Sequence, residues 1–220
     1  MDNMERTWIT ADFHWRHVNI MKYCGRVQFM TELEKSNYEF VKDNLENDRQ
    51  AMREVSIGLE SVRRMDNGII DNINALVGVN DSLHIMGDII FLKDITPANR
   101  FEKMKGYIDK IKCRNIHLIM GNHDYFKKKE YQEIFNSVHY YKELKANHQK
   151  FILSHYPFLE WNGKFNNSIC LHGHCHSNIE NWKLEHMPNA MLIDVGIDLW
   201  DYKPVNLRTL YEKAQEIARR

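Results

Sequence analysis

The feature that most constrains this chain is a series of short polar motifs, each placed directly after an apolar run. They are Asp12-Phe13-His14, Gly87-Asp88, Gly121-Asn122-His123-Asp124, His155, and Gly173-His174-Cys175-His176. The apolar runs at 8–11, 83–86, 116–120, 151–154, 169–171 and 191–195 have the length of buried strands, so their polar ends read as loops at sheet edges. Helical patterns separate them. Thr96-Pro97 reads as an N-cap followed by proline at the first helical position, with Phe101, Met104, Ile108 and Ile111 then repeating at three and four. The segments 140–145 and 151–154, with His148-Gln149 between them, read as a hairpin, and Asn206 is placed to cap a closing helix over 207–217.

The stretch from Thr31 to Val77 differs in kind. Thr31 and Glu34 form a capping-box pattern and strand signals are absent, which predicts an almost wholly helical segment. Apolar residues at 52, 55, 59, 62, 69, 73 and 76 keep a near-heptad register that Asp66 interrupts. Apolar stripes are usually core, so the expectation is a helix packed on its own domain. The alternative is a protruding helical pair that dimerises or roofs the loops carrying the motifs.

Twelve histidines occur in 220 residues, and His155, His172, His174 and His176 fall close together. In extended backbone, residues i and i+2 point the same way, so Asp12 with His14, and His174 with His176, can each aim two ligands at one point. Adjacent residues point apart, so Asn122 can ligate a metal while His123 faces a bound substrate. Taken singly, each of these patterns is more often structural than functional. Five of them in order, each at the end of its own apolar run, are not explained that way.

In order and in full, the motifs resemble the series DxH, GD, GNH(D/E), H and GHxH of the calcineurin-like metallophosphoesterases. The resemblance spans Asp12 to His176 and extends more loosely into Asp194-Val195-Gly196-Ile197-Asp198 and Tyr202-Lys203-Pro204-Val205. These stretches, with Trp15 to Ile20 and Ser154-His155-Tyr156-Pro157, are similar to small bacterial and phage phosphoesterases. The spacer between Arg26 and Gly87 is longer than is usual in that subgroup, and the helical segment fills it. What the resemblance implies is an α/β chain in α+β layers: a two-sheet β-sandwich flanked by helices, the metallophosphoesterase fold. It would be one domain over residues 1–220 with a helical insertion at about 31–78.

Carried over residue by residue, the resemblance implies that Asp12, His14 and His176 bind one divalent ion, that Asn122, His155 and His174 bind a second, and that Asp88 bridges them. Two carboxylates against two dications would leave a site of about +2, suited to a hydroxide and a phosphate. Mixed nitrogen and oxygen ligands without thiolate suit Mn, Fe or Zn and do not choose among them; the cofactor expectation is Mn, with Fe, Zn or Ni as alternatives. His123 would stabilise the phosphorane oxygens or protonate the leaving group, with Asp124 orienting it, and a metal-bridging hydroxide would be the nucleophile. His17, Asn19 and Arg26 are candidate substrate contacts, Arg26 as a bidentate phosphate clamp or else a solvated surface arginine. His172 and Cys175 are expected to be structural. Ser154 beside His155 does not make a serine hydrolase, because no GxSxG elbow is present.

The implied reaction is hydrolysis of a phosphodiester or monoester of nucleotide size. Nuclease action on DNA or RNA is the second reading, and a catalytically silent scaffold the third. Thirty Lys plus Arg against thirty Asp plus Glu give no global field to gather nucleic acid, which favours a small phosphorylated substrate. The start MDNMERTWIT lacks the features of a signal peptide, no apolar run approaches membrane-spanning length, and Cys24, Cys113, Cys170 and Cys175 form no disulfide pattern. The expectation is a cytoplasmic protein without a membrane partner, in a host cytoplasm if the chain is of phage origin, with homodimerisation through the helical insertion as a partner expectation.

Overall fold

The computed structural model describes residues 3–44 and 49–219. Positions 1, 2, 45–48 and 220 lie outside them, including four positions of the expected helical segment and the start of the N-terminal stretch.

Two sheets form the centre. The first has the order β4-β3-β2-β1-β9, from Ser137–His139, Asn115–Ile119, Ser82–Ile85, Thr7–Thr10 and Val205–Asn206. Its first four strands are mutually parallel and β9 is antiparallel to β1. The second has the order β5-β6-β7-β8, from Tyr141–Ala146, Gln149–Ser154, Ile169–His172 and Leu192–Asp194. There β5 and β6 form the antiparallel hairpin, while β6, β7 and β8 run parallel. The hairpin turns at Asn147 (φ 47°) and His148 (φ 64°), one residue earlier than the sequence reading placed it. Two successive positive φ values are what a two-residue turn needs to follow the twist of its strands.

Strand alternation sorts side chains into layers. Phe151 and Leu153 of β6 and Ile169 and Leu171 of β7 point inward against Ile9, Met86 and Ile119 of the other sheet. Ile152 and Cys170, between them in sequence, point outward to Trp161. The closing helix α8 (Leu207–Ala218) adds Leu207, Leu210 and Ala214 to the inter-sheet core, and Asn206 Oδ1 accepts its cap bond from Arg208 N at 2.9 Å. Over the outer face of the first sheet lie α1 (Val18–Tyr23), α2 (Glu32–Asn44), α3 (Arg49–Glu54), α4 (Leu59–Leu76) and α5 (Pro97–Ile108). Two short helices, α6 (Lys128–Tyr131) and α7 (Glu180–His186), complete the fold. The result is a two-sheet sandwich flanked by helices. α5 starts at Pro97 as expected, but Thr96 makes no side-chain cap bond.

The capping box at the start of α2 is present: Thr31 N–H donates to Glu34 Oε2 at 2.7 Å and Glu34 N–H to Thr31 Oγ1 at 3.3 Å. Glu34 also accepts from Gly58 N–H and the Ser61 hydroxyl, tying α2 to the start of α4. The heptad reading of α4 requires correction. Its buried face is Val62, Met65, Asp66, Ile69, Ile70 and Ile73, an ordinary helical stripe on the first sheet, whereas Leu59 and Leu76 are exposed. Asp66 does not interrupt that stripe; it belongs to it, accepting from Arg16 N–H at 3.0 Å and the Tyr107 hydroxyl at 2.8 Å. The four cysteines are free thiols, and no helix of the described residues is long and apolar enough to cross a membrane.

Candidate metal centre

Parallel strands end at the same side of a sheet, so the loops after β1, β2, β3, β6 and β7 meet at one edge of the sandwich. Backbone bonds knit these loops together. Asp12 N–H donates to the Gly87 carbonyl at 3.1 Å, His14 N–H to the Asp88 carbonyl at 2.9 Å, and Gly173 N–H to the His155 carbonyl at 3.0 Å.

The expected route to convergence was extended backbone with i and i+2 aligned. The structure uses another. Asp12 (φ 61°), His14 (φ 49°), Asp88 (φ 54°), His174 (φ 69°) and His176 (φ 45°) all sit in the left-handed region. That region costs a non-glycine residue roughly 1–3 kcal/mol, and it persists only where surrounding structure enforces it. Here the strain aims the side chains inward two to four residues after each strand ends.

Two donor sets result. One donor atom each from Asp12, His14 and His176 lies within 4.8 Å of the others, and the same holds for Asp88, His155 and His174. Asp88 joins them, since its Oδ2 lies 3.5 Å from both His14 Nε2 and His155 Nε2. His155 Nδ1–H donates to the Met86 carbonyl at 2.8 Å, which leaves Nε2 as an acceptor facing Asn122 Oδ1 at 3.0 Å. Two lone pairs that close, with no proton between them, are an arrangement a cation stabilises. Asp12 Oδ1 and His14 Nε2 are buried and have no hydrogen-bond partner among the described residues. Burial, followed by repulsion from Asp88 and Asp194, pushes the Asp12 carboxyl well above its ordinary range. Burial pulls His14, His155 and His174 down, which keeps their imidazoles neutral and able to ligate. Orphaned acceptors, converging carboxylates and neutral histidines fit divalent cations.

The motif glycines are spacing devices. A Cβ on Gly87 would sit 2.6 Å from Gly121 Cα and 2.7 Å from His155 Nδ1, and Gly87 has φ 86°. A Cβ on Gly121 would sit 2.8 Å from Asp88 N and 2.9 Å from His155 Cε1. Only glycine lets these loops approach closely enough to present Asp88 and Asn122 together.

Around the donors, several expectations are revised. Arg26 is neither a phosphate clamp nor a surface residue: it is fully buried, its Nε and Nη2 bond Asp198 at 2.7 and 3.0 Å, and Nη1 and Nη2 donate to the carbonyls of Phe13 and Asp12. With its fork so occupied, it braces the loop that carries Asp12 and His14. Asp124 does not orient the His123 ring. Its carboxylate accepts from Gly121 N–H at 2.7 Å and from Ile89 and Asp88 N–H, binding the β2 and β3 loops together; burial pushes it up to about 6. His123 is exposed, its N–H donates to Asp88 Oδ1 at 2.8 Å, and its ring lies 5.6 Å from that of His14. His17 accepts from Ile20 N–H through Nδ1 as the cap of α1, with its ring 5.7 Å from His14, while Asn19 is exposed nearby. Burial lowers His17 to about 4. His172 is fully buried at the end of β7 and Cys175 is half-buried between two histidines.

Two residues were given no role by the sequence reading. Asp198 Oδ2 accepts from His176 Nδ1 at 2.7 Å, which orients His176 Nε2 toward the site. Burial raises the Asp198 carboxyl, but the bonds from His176 and Arg26 prevail and hold it below the usual range. Asp194 accepts from Gly196 and Ser177 N–H and shapes the loop after β8. The signal for both was the Asp194-Val195-Gly196-Ile197-Asp198 stretch, whose two carboxylates flank a glycine beside a histidine-rich motif.

The sequence pattern of the calcineurin-like phosphoesterase family matches residues 5–207. An uncharacterized protein of Methanocaldococcus jannaschii is 25% identical over 206 residues, covering 93% of this chain and 89% of that one. The crystal structure of a protein of unknown function from Aquifex aeolicus superposes with a TM-score of 0.61 at 19% identity, covering 94% of this chain and 98% of the other, and shares the fold.

Proposed function

The chain belongs to the calcineurin-like phosphoesterase family, whose work is metal-dependent hydrolysis of phosphate esters, and from that premise we propose that it holds two divalent ions and cleaves a phosphodiester or monoester of nucleotide size. Asp12, His14 and His176 would hold one ion, Asn122, His155 and His174 the other, and Asp88 both. Mn is the first choice, with Fe, Zn or Ni as alternatives for such mixed nitrogen and oxygen donors. When bound, the pair of ions supplies charge neutralisation and activation of water close to neutral pH. The observation that carries this reading is Asp88 Oδ2, placed 3.5 Å from a histidine of each donor set.

The chain's own residues supply the rest. His123, exposed at the rim and anchored through its backbone N–H to Asp88, can donate a proton or a hydrogen bond to the leaving oxygen. Asp198 and Met86 fix which nitrogen His176 and His155 present, so no reorientation is needed when an ester arrives. Chelator-stripped protein should be inactive on bis-p-nitrophenyl phosphate and regain turnover with Mn²⁺ as elemental analysis reaches two ions per chain. Failure to recover with any divalent metal would overturn the hydrolytic reading.

A further inference from the structure

Beside the metal centre lies a cavity of about 560 Å³, walled by the loop after β1, by Phe91, and by α4 and α5. His17 is shared: its ring is 5.7 Å from His14 and 4.3 Å from Phe91, so the cavity opens directly off the donor sets. The volume lies within the ~300–1,000 Å³ of sites that enclose small organic ligands, and a phosphoryl group alone does not need it.

Its charge is uneven. Arg16, Arg63 and Lys103 face Asp66 and Asp94 across it. Both carboxylates are engaged: Asp66 by Arg16 N–H and the Tyr107 hydroxyl, Asp94 by an ion pair with the Arg16 guanidinium. Arg16 Nε is buried and has no partner among the described residues. Among the described residues Arg63 pairs only with Glu60, at 3.5 Å on the same helix with both side chains exposed, and such pairs hold little energy. Lys103 is exposed and makes no ion pair among the described residues. Val18, Leu59 and Val62 give the same cavity an apolar wall. Two helices thus present uncommitted cations over an apolar surface, with the catalytic loops at one end.

Resting on the phosphoesterase reading above, we propose that this cavity is a second substrate subsite, in which Arg63 and Lys103 hold a second phosphate carried on the leaving-group side of a nucleotide-sized ester. The apolar wall covers the body between the two phosphates. A doubly charged group shared between cations from separate helices matches phosphate, and neither Arg63 nor Lys103 belongs to the donor sets that face the group being cleaved. The helical segment over 31–78 supplies Leu59, Val62, Arg63 and Asp66 to this wall and α5 supplies Lys103, so the selectivity the subsite confers comes from these helices and not from the generic donor sets.

The test compares adenosine 3′,5′-bisphosphate with adenosine 5′-monophosphate, as competitors of bis-p-nitrophenyl phosphate turnover by the Mn²⁺-loaded chain and by calorimetry on the chain in chelator. In the unmodified protein the bisphosphate should bind ~10-fold more tightly or better, the worth of one or two charge-assisted bonds. Arg63→Ala and Lys103→Ala should each shrink that ratio severalfold, and Lys103→Glu should abolish it. Both side chains are exposed, so these variants leave the core intact. Equal binding of the two ligands by the unmodified protein, or a ratio that all three variants preserve, overturns the subsite. Absence of turnover with any divalent metal defeats the hydrolytic reading instead, and calorimetry then decides the subsite alone.

Discussion

Arg26 and Asp198 meet in a two-bond fork, Nε to Oδ1 at 2.7 Å and Nη2 to Oδ2 at 3.0 Å, although they are 172 positions apart in the chain. The same Asp198 carboxylate accepts from His176, and the same guanidinium holds the carbonyls of Phe13 and Asp12. One ion pair therefore ties the first donor motif to the last.

Asp198→Asn should break that tie in two measurable ways. A fully buried guanidinium left without its carboxylate costs roughly 3–5 kcal/mol, to be read as a lower urea midpoint. His176 would also lose its fixed orientation, and outer partners of this kind are worth ~10- to 100-fold in metal affinity. A variant that unfolds at the same urea concentration and binds Mn²⁺ unchanged would remove Asp198 from the site.

His123→Ala should behave differently, because His123 offers its backbone N–H, and not its ring, to Asp88. Alanine keeps that N–H, so two ions per chain should remain while turnover of diesters falls ~10²- to 10³-fold, the range for a general acid or electrostatic group. Collapse of metal content in this variant would make His123 a ligand and the role given to it wrong.

What the sequence made legible was local and periodic. Strand ends carrying Asp12, Asp88, Asn122, His155 and His174 were visible because apolar runs and polar motifs alternate along the chain, and the Thr31–Glu34 box and the Asn206 cap were visible because capping is decided within a few residues. The left-handed backbone at Asp12 and His14 was not, since Asp and His merely tolerate that conformation better than most residues and the fold decides where it is imposed. Arg26 was misread for a related reason: burial and a partner 172 positions away are tertiary facts, and an arginine twelve residues after a metal motif looks the same whether it faces phosphate or core. The stripe on α4 was read as a heptad because Asp66 was taken as polar and therefore outward, when its bonds to Arg16 and Tyr107 let it face inward.

The interior away from the metal centre should make the protein acid-sensitive. His84 of β2 and His117 of β3 stack at 4.6 Å, and His117 Nδ1 bonds Ser137 Oγ at 2.8 Å. Burial first, then His117, Lys142 and His139, depress His84 well below 6.5; burial, Lys142 and His139 bring His117 to about 4. Because the folded values lie below the unfolded one, the stabilising difference is intact above pH 6.5 and is lost as pH falls from there toward about 4. Each histidine in that window steepens the loss by up to ~1.4 kcal/mol per pH unit. Urea midpoints between pH 7.5 and 4.5 should decline, and His117→Gln should flatten the decline. An unmodified slope in that variant would assign the acid sensitivity elsewhere.

Gly121→Ala tests whether loop spacing, and not only ligand identity, makes the site. The added methyl would lie 2.8 Å from Asp88 N and 2.9 Å from His155 Cε1, and both neighbours are buried and fixed, His155 by its bond to the Met86 carbonyl. Neither can yield cheaply, so the β2 and β3 loops must separate, which overpacking of this kind penalises by roughly 1–3 kcal/mol. Separation draws Asn122 away from His155 and Asp88 away from both histidines it faces, so the metal should be lost before the fold is. The expected result is a modest fall in urea midpoint with less than one ion retained per chain at concentrations that saturate the unmodified protein. Full metal occupancy in Gly121→Ala would mean that the loops have slack the structure does not show, and the account of the motif glycines as spacers would fail.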